Sequence, residues 1–269
     1  MKAIPLLIVS EDTAAACGWF NTNAFPGELR HLVDACRGRS ALLRFFVRNM
    51  HREVGLDSCR FGEEYRKRGV DSGQLPAGAR LVVVFDATGY LACLDGVFYA
   101  LKSFLDVYAK LIARVIDRKK VSIKTFGKKK VGNSELSGGN LIHWLRSSSP
   151  KGFCNAQALA QVIEQHSRAW IHEAVGYRDR LTHDGRIRGL EHMRLDVGAA
   201  QVSFRPEDVK EPTMPDGVGV AAYAQRLLCN VDTFIRETLA FLPQVQRGLL
   251  APGGEPLSAP LEPTAIGRT

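Results

Sequence analysis

The sequence predicts an all-α fold, an antiparallel bundle of four or five main helices with a small β-hairpin insertion. Apolar residues recur at alternating spacings of three and four along several segments, the period that places them on one helix face. The chain is 45% hydrophobic and 24% charged, an ordinary composition for a folded protein. Two short segments, Met193–Val197 and Gln201–Arg205, are joined by Gly198-Ala199-Ala200 and predict the hairpin.

The first two helices are predicted from their apolar stripes. One runs from Glu28 to about Val54, although Gly38 weakens its middle. The second begins near Pro76–Arg80 and ends near Asp117. Its stripe alternates spacings of four and three without interruption: Leu94, Phe98, Leu101, Leu105, Tyr108, Ile112 and Val115. Because a helix of this length needs several partners to cover it, the stripe favours a bundle.

Two further helices follow later in the chain. One is predicted from about Asn155 to Asp184, and the other from about Val218 to Val245, each with its own apolar stripe. A short strand is predicted at Val121–Phe126, beside a basic turn at Gly127–Lys130. The four helices are the minimum that the apolar periodicity requires.

The domain organisation follows from these elements. We expect a single helical domain over residues 28–247, which contains a basic insertion at 117–132 and the hairpin at 193–205. At 269 residues the chain is long enough for such a domain to bury a sizeable core. Residues 1–27 are expected to form an N-terminal segment. Residues 248–269 are rich in proline and lack periodicity, which predicts a disordered tail.

Positive charge is concentrated in one segment. The chain has 36 Lys and Arg against 28 Asp and Glu, a formal net charge of +8. Residues 114–130 hold eight basic residues and one acidic residue, so this window carries +7 and the rest of the chain +1. Such a segment suits the phosphate backbone of a nucleic acid. The residues predicted to bind nucleic acid are Lys119, Lys120, Lys124, Lys128, Lys129 and Lys130. A solvated loop is the alternative interpretation.

Cysteine spacing and hydropathy predict a cytoplasmic protein without membrane contact. The six cysteines are scattered, with no Cys-x-x-Cys pair, which is typical neither of a disulfide framework nor of a zinc site. The apolar run Leu81–Leu94 contains Asp86 and Gly89 and is too short to cross a bilayer. Neither metal-ligand spacings nor a phosphate-binding Gly-rich loop with a following Lys-Ser/Thr occur, so no metal and no cofactor are predicted.

The end of the third helix carries the clearest chemistry. It reads Tyr177-Arg178-Asp179-Arg180-Leu181-Thr182-His183-Asp184-Gly185, and Gly185 suits the C′ position because glycine adopts the left-handed conformation at little cost. On a continuous helix Arg178 and His183 would point about 140° apart. A site that contains both therefore needs either a frayed last turn or a second copy of the motif from a dimer partner.

This Arg178-Asp179-x-x-x-His183 pattern resembles the signature of the HEPN superfamily (higher eukaryotes and prokaryotes nucleotide-binding), which is Arg, a polar residue, three residues and His on a bundle helix. The resemblance covers the motif and the helical layout from about Arg80 to Val245. It implies metal-independent RNA cleavage by a homodimer whose two motifs face each other across the interface. It also implies a role as a toxin or phage-defence effector, with an antitoxin or defence-system protein as a candidate partner.

The residue types support this chemistry independently. Cleavage of RNA through its own 2′-hydroxyl needs a base, an acid and a cation for the pentacoordinate phosphate. A histidine such as His183 suits the base or the acid, and an arginine such as Arg178 grips phosphate oxygens bidentately. Asp179 would orient one of them. A solvated ion pair with a helix-terminal histidine is the structural alternative. The alternative function is a non-catalytic helical module that binds RNA or a protein through residues 114–130.

Other polar residues of the predicted helices have less specific roles. Asp95, Lys102 or Asp106 on the second helix would supply a further polar group to such a site, and the sequence does not choose among them. His166 and Glu173 fall on the apolar stripe of the third helix, which predicts hydrogen-bonded core residues.

Overall fold

A computed structural model describes residues 25, 27–67, 80–81, 88–117, 123–147, 153–191, 193–196 and 209–242. These ranges are mostly helical, as predicted. The helices are α1 (Arg30–Lys67, preceded by a 3-10 turn at Gly27–Leu29), α2 (Thr88–Ile116), α3 (Gly139–Ser147), α4 (Ala156–His166), α5 (His172–Asp184) and α6 (Val220–Leu239). A π-helical turn at Ser167–Ile171 joins α4 to α5.

Two small antiparallel sheets accompany the helices. The strands are β1 (Arg80–Leu81), β2 (Lys129–Val131), β3 (Ser134–Leu136), β4 (Arg194–Asp196) and β5 (Val209–Lys210). The first sheet has the strand order β1-β4-β5, and the second is a hairpin of β2 and β3. The turn between β2 and β3 has Gly132 at φ +61°, which fits the first central position of a type II′ hairpin turn.

By its contacts the chain divides into two compact units, whereas the sequence suggests one domain over 28–247. Of the described residues, those within 25–41, 103–172 and 231–242 belong to the first unit, and those within 42–102 and 173–230 belong to the second. The β2–β3 hairpin, α3 and α4 belong to the first unit. The three-stranded sheet and nearly all of α5 belong to the second.

The apolar stripes form the core as predicted. All seven stripe residues of α2 are buried, and so is the stripe of α6. In the first unit Tyr108 stacks on Phe104 at 5.3 Å between ring centroids and meets Phe234 edge-on at 5.7 Å. The Tyr108 hydroxyl lies 2.6 Å from the hydroxyl of Thr238, so its polar end is satisfied inside the core. Burial raises the pKa of Tyr108.

His166 is a hydrogen-bonded residue at the edge of this core, as predicted. Its Nδ1 accepts the indole N–H of Trp170 at 2.9 Å, and its Nε2 lies 2.9 Å from a carboxylate oxygen of Glu237. The prediction of a core position is wrong for Glu173, which is exposed. Ala174 takes the buried position instead, and Glu173 accepts the hydroxyl of Tyr177 from outside.

The predicted start of the second helix is wrong. Arg80–Leu81 is a strand, and α2 begins at Thr88. Asp57 of α1 stabilises this beginning, because its buried carboxylate accepts the backbone N–H of Tyr90 at 2.9 Å. A helix leaves its first amide groups without intrahelical partners, and here a side chain from another helix supplies one. Sequence periodicity contains no trace of such a partner.

The other boundaries differ at particular points. The first helix continues past Val54 to Lys67, since Asp57 and Phe61 extend its buried face. Helix α6 ends at Leu239, and the predicted end at Val245 lies outside the described residues.

The short strands also differ from prediction. Residues 123–126 are not a strand, while 121–122 lie outside the described residues, and the predicted basic turn instead supplies strand β2. Of the predicted 193–205 hairpin, the first arm is a strand and 201–205 lies outside the described residues. The first arm pairs with β1 and β5. The N-terminal segment through residue 24 and the predicted tail at 248–269 also lie outside the described residues. No helix in the described ranges is long and apolar enough to span a membrane.

Candidate functional site

Helix α5 of the second unit places Arg178, Leu181 and Thr182 on one face, because residues three and four positions apart are neighbours on a helix. Together with α2 this face lines an open cavity of about 210 Å³. The lining residues are Asp95, Phe98, Tyr99, Arg178, Leu181 and Thr182. The arginine of the predicted motif therefore lies in a concave site rather than on a flat solvated face.

The guanidinium of Arg178 pairs with the carboxylate of the next residue, Asp179. Its Nη1 donates to Oδ1 of Asp179 at 3.3 Å, and both side chains are about one-third exposed, at 31% and 30%. Thr182 donates its hydroxyl to the Arg178 carbonyl at 3.0 Å, which holds the backbone of this turn. Arg178 therefore lines the cavity as a partly exposed cation that is also paired with Asp179.

Tyr177 anchors this part of α5 in the core of the second unit. Its ring lies 5.7 Å from Phe98 and 5.9 Å from Tyr223. Its hydroxyl donates to Glu173 at 3.0 Å, and burial together with this hydrogen bond raises the pKa of Tyr177 to about 12. The guanidinium of Arg180 lies 4.7 Å above the Tyr177 ring, so Arg180 stacks on an aromatic face and does not line the cavity.

His183 lies on a different face of α5 from Arg178. The helix is unbroken to Asp184, and Gly185 follows with φ +66°, which confirms the predicted glycine C′. The last turn is not frayed, so that way of uniting the two residues is excluded. Five helical steps separate the side chains by about 140°. His183 is exposed and does not line the Arg178 cavity.

The structure chooses among the polar candidates on α2. Asp95 lines the cavity, and its partial enclosure by protein raises the pKa of its carboxyl. Asp106 instead accepts the backbone N–H of Phe126 at 2.7 Å, and Lys102 does not line the cavity. Sequence reasoning missed Tyr99, which is 56% exposed and lines the same cavity. The i, i+4 spacing of Asp95 and Tyr99 is the signal that would have found it.

The predicted nucleic-acid-binding lysines divide into two groups. Lys119 and Lys120 lie outside the described residues. Lys124 is exposed ahead of the hairpin, Lys128 is exposed beside it, and Lys129 and Lys130 belong to β2. The basic segment is therefore partly ordered as a strand, and Asp106 fixes the chain just before it.

No metal site is evident in the described part of the chain, where no three or more His, Cys, Asp or Glu side chains gather closely enough to hold an ion. Comparison of the chain with protein-family models, with curated proteins and with solved structures gives no match. The chemistry of the site accordingly has to be argued from its own residues.

Proposed function

We propose that this protein is a metal-independent endoribonuclease of HEPN type, which works as a cytoplasmic homodimer in a toxin or phage-defence role. The observation that carries the proposal is the position of Arg178, on the wall of an open cavity near the end of a core helix, with His183 in the last turn of the same helix. A solvated ion pair would not need a cavity. The HEPN fold itself is part of the proposal.

In the proposed reaction the 2′-oxygen of a ribose attacks the adjacent phosphorus. A base removes the 2′-proton, the bond to the 5′-oxygen breaks, and an acid protonates that oxygen, so the products are a 2′,3′-cyclic phosphate and a 5′-hydroxyl. Arg178 would hold the phosphate oxygens as negative charge grows on them. His183 would serve as base or acid, and Asp179, 3.3 Å from Arg178, would orient the guanidinium.

The geometry of α5 supports a composite site. A phosphate held by Arg178 cannot be reached by the His183 of the same helix, because the two side chains diverge by about 140°. A second copy would bring its own His183 to the first copy's Arg178, and a two-fold axis would form two such sites at once. Tyr99, with its exposed ring beside the cavity, would contact the partner or the RNA.

The proposal is tested with purified protein and a structured RNA in EDTA. Wild type, Arg178→Ala and His183→Ala are compared with Arg180→Ala, the matched control that removes the same charge from the same helix outside the cavity. We expect 2′,3′-cyclic phosphate ends from wild type and the control. The Arg178 and His183 variants should lose cleavage by about 10²-fold or more, the usual effect of removing one transition-state donor or one acid-base group.

Equal cleavage by all four proteins would assign the activity to a contaminant and would contradict the proposal. Absence of cleavage by wild type, with RNA binding intact, would favour the alternative of a non-catalytic module that binds RNA through residues 114–130. In that case replacement of the basic residues should change the salt dependence of RNA affinity, while Arg178→Ala should not.

A further inference from the structure

A second cavity, of about 400 Å³, lies in the first unit beside the β2–β3 hairpin. Its walls come from the segment before the hairpin, from β2 and from one face of α3, where residues at i, i+3 and i+4 line up. The polar and aromatic lining residues are Lys124, Thr125, Lys129, Asn140, His143 and Trp144. Its volume falls within the range of about 300–1,000 Å³ usual for small-molecule sites.

The charged side chains that line this cavity, the lysine cavity, are all positive. Lys124 and Lys129 contribute two ammonium groups, and the lining contains no carboxylate. Neither lysine forms an ion pair with any residue in the described part of the chain. Asn140 and Thr125 add hydrogen-bonding groups. Two cations that line one concave surface attract an anion, and a phosphate accepts hydrogen bonds from several donors at once.

Strand alternation decides which lysine of the run faces the cavity. Lys129 stands opposite Leu136 and Lys130 stands opposite Glu135. Successive side chains of a strand point to opposite faces, so Lys129 shares the inner face of buried Val131, whereas Lys130 points away. The run Lys128-Lys129-Lys130 is therefore not a uniform patch of charge.

Glycines hold β2 against α3 and so fix the position of Lys129. A Cβ on Gly139 would collide with the backbone of Lys129, and a Cβ on Gly138 would collide with the ring of Phe126. Gly138 also has φ +82°, a conformation that other residues adopt only under strain. The backbone of β2 beside the cavity thus has little room to move against α3.

Aromatic groups stand next to the cations. Trp144 is 8% exposed and lines the cavity, and exposed His143 precedes it. We propose that the lysine cavity binds a nucleoside phosphate, with the phosphate on Lys124 and Lys129 and the base against Trp144 and His143. Stacking on an aromatic face accepts any base and adds to the affinity for the phosphate. The proposal does not rest on ribonuclease activity.

Two sources present the same chemistry, a free nucleotide and a nucleotide of an RNA strand. Calorimetric titration of the full chain with adenosine 5′-monophosphate, adenosine, inorganic phosphate and a 2′-O-methyl RNA of about ten nucleotides separates them, because this RNA cannot be cleaved through its 2′-oxygen. The test variant is Lys124→Gln with Lys129→Gln. Its control is Lys110→Gln with Lys210→Gln, which removes the same charge outside both the cavity lining and the basic segment. Thermal unfolding checks that both stay folded.

The nucleotide should bind at least about tenfold more tightly than adenosine or phosphate, and the test variant should weaken it by about tenfold while the control changes it by less than about twofold. If only the RNA binds, with the same dependence on the variants, the source is a strand. Trp144→Phe should reduce the preference for the nucleotide over phosphate. Equal losses in test and control variants, or equal affinity for phosphate and nucleotide, would overturn the proposal.

Discussion

The Arg178 cavity and the lysine cavity differ in whether one chain completes them. Helix α5 carries both the cation of the Arg178 cavity and His183, but the two diverge by about 140° and His183 does not line the cavity, so in the proposed reaction one copy would supply only half of the catalytic set. The lysine cavity gathers its groups from a loop, a strand and a helix, and all of them converge. Residues close in sequence are thus separated by helical geometry, while residues up to twenty positions apart are brought together by a hairpin.

The largest expected effect tests the incomplete site. Arg178→Ala and His183→Ala should each lower cleavage by about 10²-fold or more, but an equimolar mixture of the two should recover about one-quarter of wild-type activity. Half of the dimers would be mixed, and one of the two sites in each mixed dimer would have both side chains intact. The measurement is cleavage of a fluorescent RNA after subunit exchange.

Arg178→Ala alone, at the same total protein concentration as the mixture, is the control for any gain in activity that comes only from the higher protein concentration. If the two-variant mixture stays as inactive as its components although light scattering shows dimers, the composite site is wrong. Nucleotide binding by the lysine cavity should be the same in every one of these samples, since that cavity is complete within one chain.

Asp95→Asn is expected to separate function from stability at the Arg178 cavity. Cleavage should fall by about tenfold, because the carboxylate that Asp95 contributes to the lining of the proposed site is lost. Enclosure raises the pKa of Asp95 in the folded chain, so its contribution to stability is present below the unfolded pKa and is lost as pH rises through the folded pKa. At pH 7 the ionised carboxyl opposes folding, and the asparagine variant should unfold at no lower temperature than wild type.

Thermal unfolding at pH 7 and at several acid pH values, beside cleavage assays, provides the measurement. The stability difference between wild type and variant should shrink as the pH falls through the folded pKa of Asp95. A variant that loses activity and stability together would show that Asp95 is structural, which removes it from the site.

Gly139→Ala probes the rigid wall of the lysine cavity. The added methyl group would lie 2.8 Å from the Lys129 nitrogen, so β2 must shift, at a cost of about 1–3 kcal/mol in unfolding free energy. Nucleotide affinity should fall with it, while Arg178-dependent cleavage should not. Gly38→Ala in α1 is the matched control, because nothing lies within 4 Å of its Cβ and the change should stabilise the chain by about 0.5–1 kcal/mol. Denaturant unfolding of both variants measures the two changes in unfolding free energy. Changes of the same sign would contradict the prediction.

The smallest effect concerns the ion pairs that support the hairpin. Glu164 accepts hydrogen bonds from Arg168 and Arg146, chiefly the former, and these lower its pKa. Arg168 also donates to the carbonyl of Val131 in β2 at 3.5 Å. Because the pKa is lowered on folding, this stability is present above the unfolded pKa of about 4.3 and is lost as pH falls through the folded pKa.

Glu164→Gln should therefore cost less than about 1 kcal/mol at pH 7, since both arginines are more than one-third exposed. Chemical denaturation at several pH values should show the difference from wild type shrinking towards acid pH. A difference that is constant with pH would mean that the carboxylate charge is not its source.

Sequence patterns anticipated what depends on local periodicity. The stripe from Leu94 to Val115 is buried throughout, and Gly185 ends α5 where glycine chemistry requires it. The start of α2 was not predictable, because it depends on Asp57, which lies over thirty positions away. A buried carboxylate that accepts a hydrogen bond from an amide far away in the sequence produces no apolar periodicity in either segment.

The same distinction applies to the sites. Arg178, Asp179 and His183 were found from their spacing, and the cavity around Arg178 needed α2 to be placed against α5 within the second unit. The lysine run predicted charge, but the division between Lys129 and Lys130 depends on a hairpin register set by the turn at Gly132. Trp144 carries no signal of a site until that register is known.

The glycines at 138 and 139 suggest how relatives of this chain are to be recognised. The shape of the lysine cavity depends on the absence of side chains at these two positions, since any side chain there would enter the space of Phe126 or Lys129. Lysines on a surface exchange readily with arginine or move by a position, whereas a place without room for a methyl group admits one residue type. A search keyed to a Gly-Gly pair that begins a short helix after a basic hairpin would thus retain distant homologues that a search keyed to charge would lose.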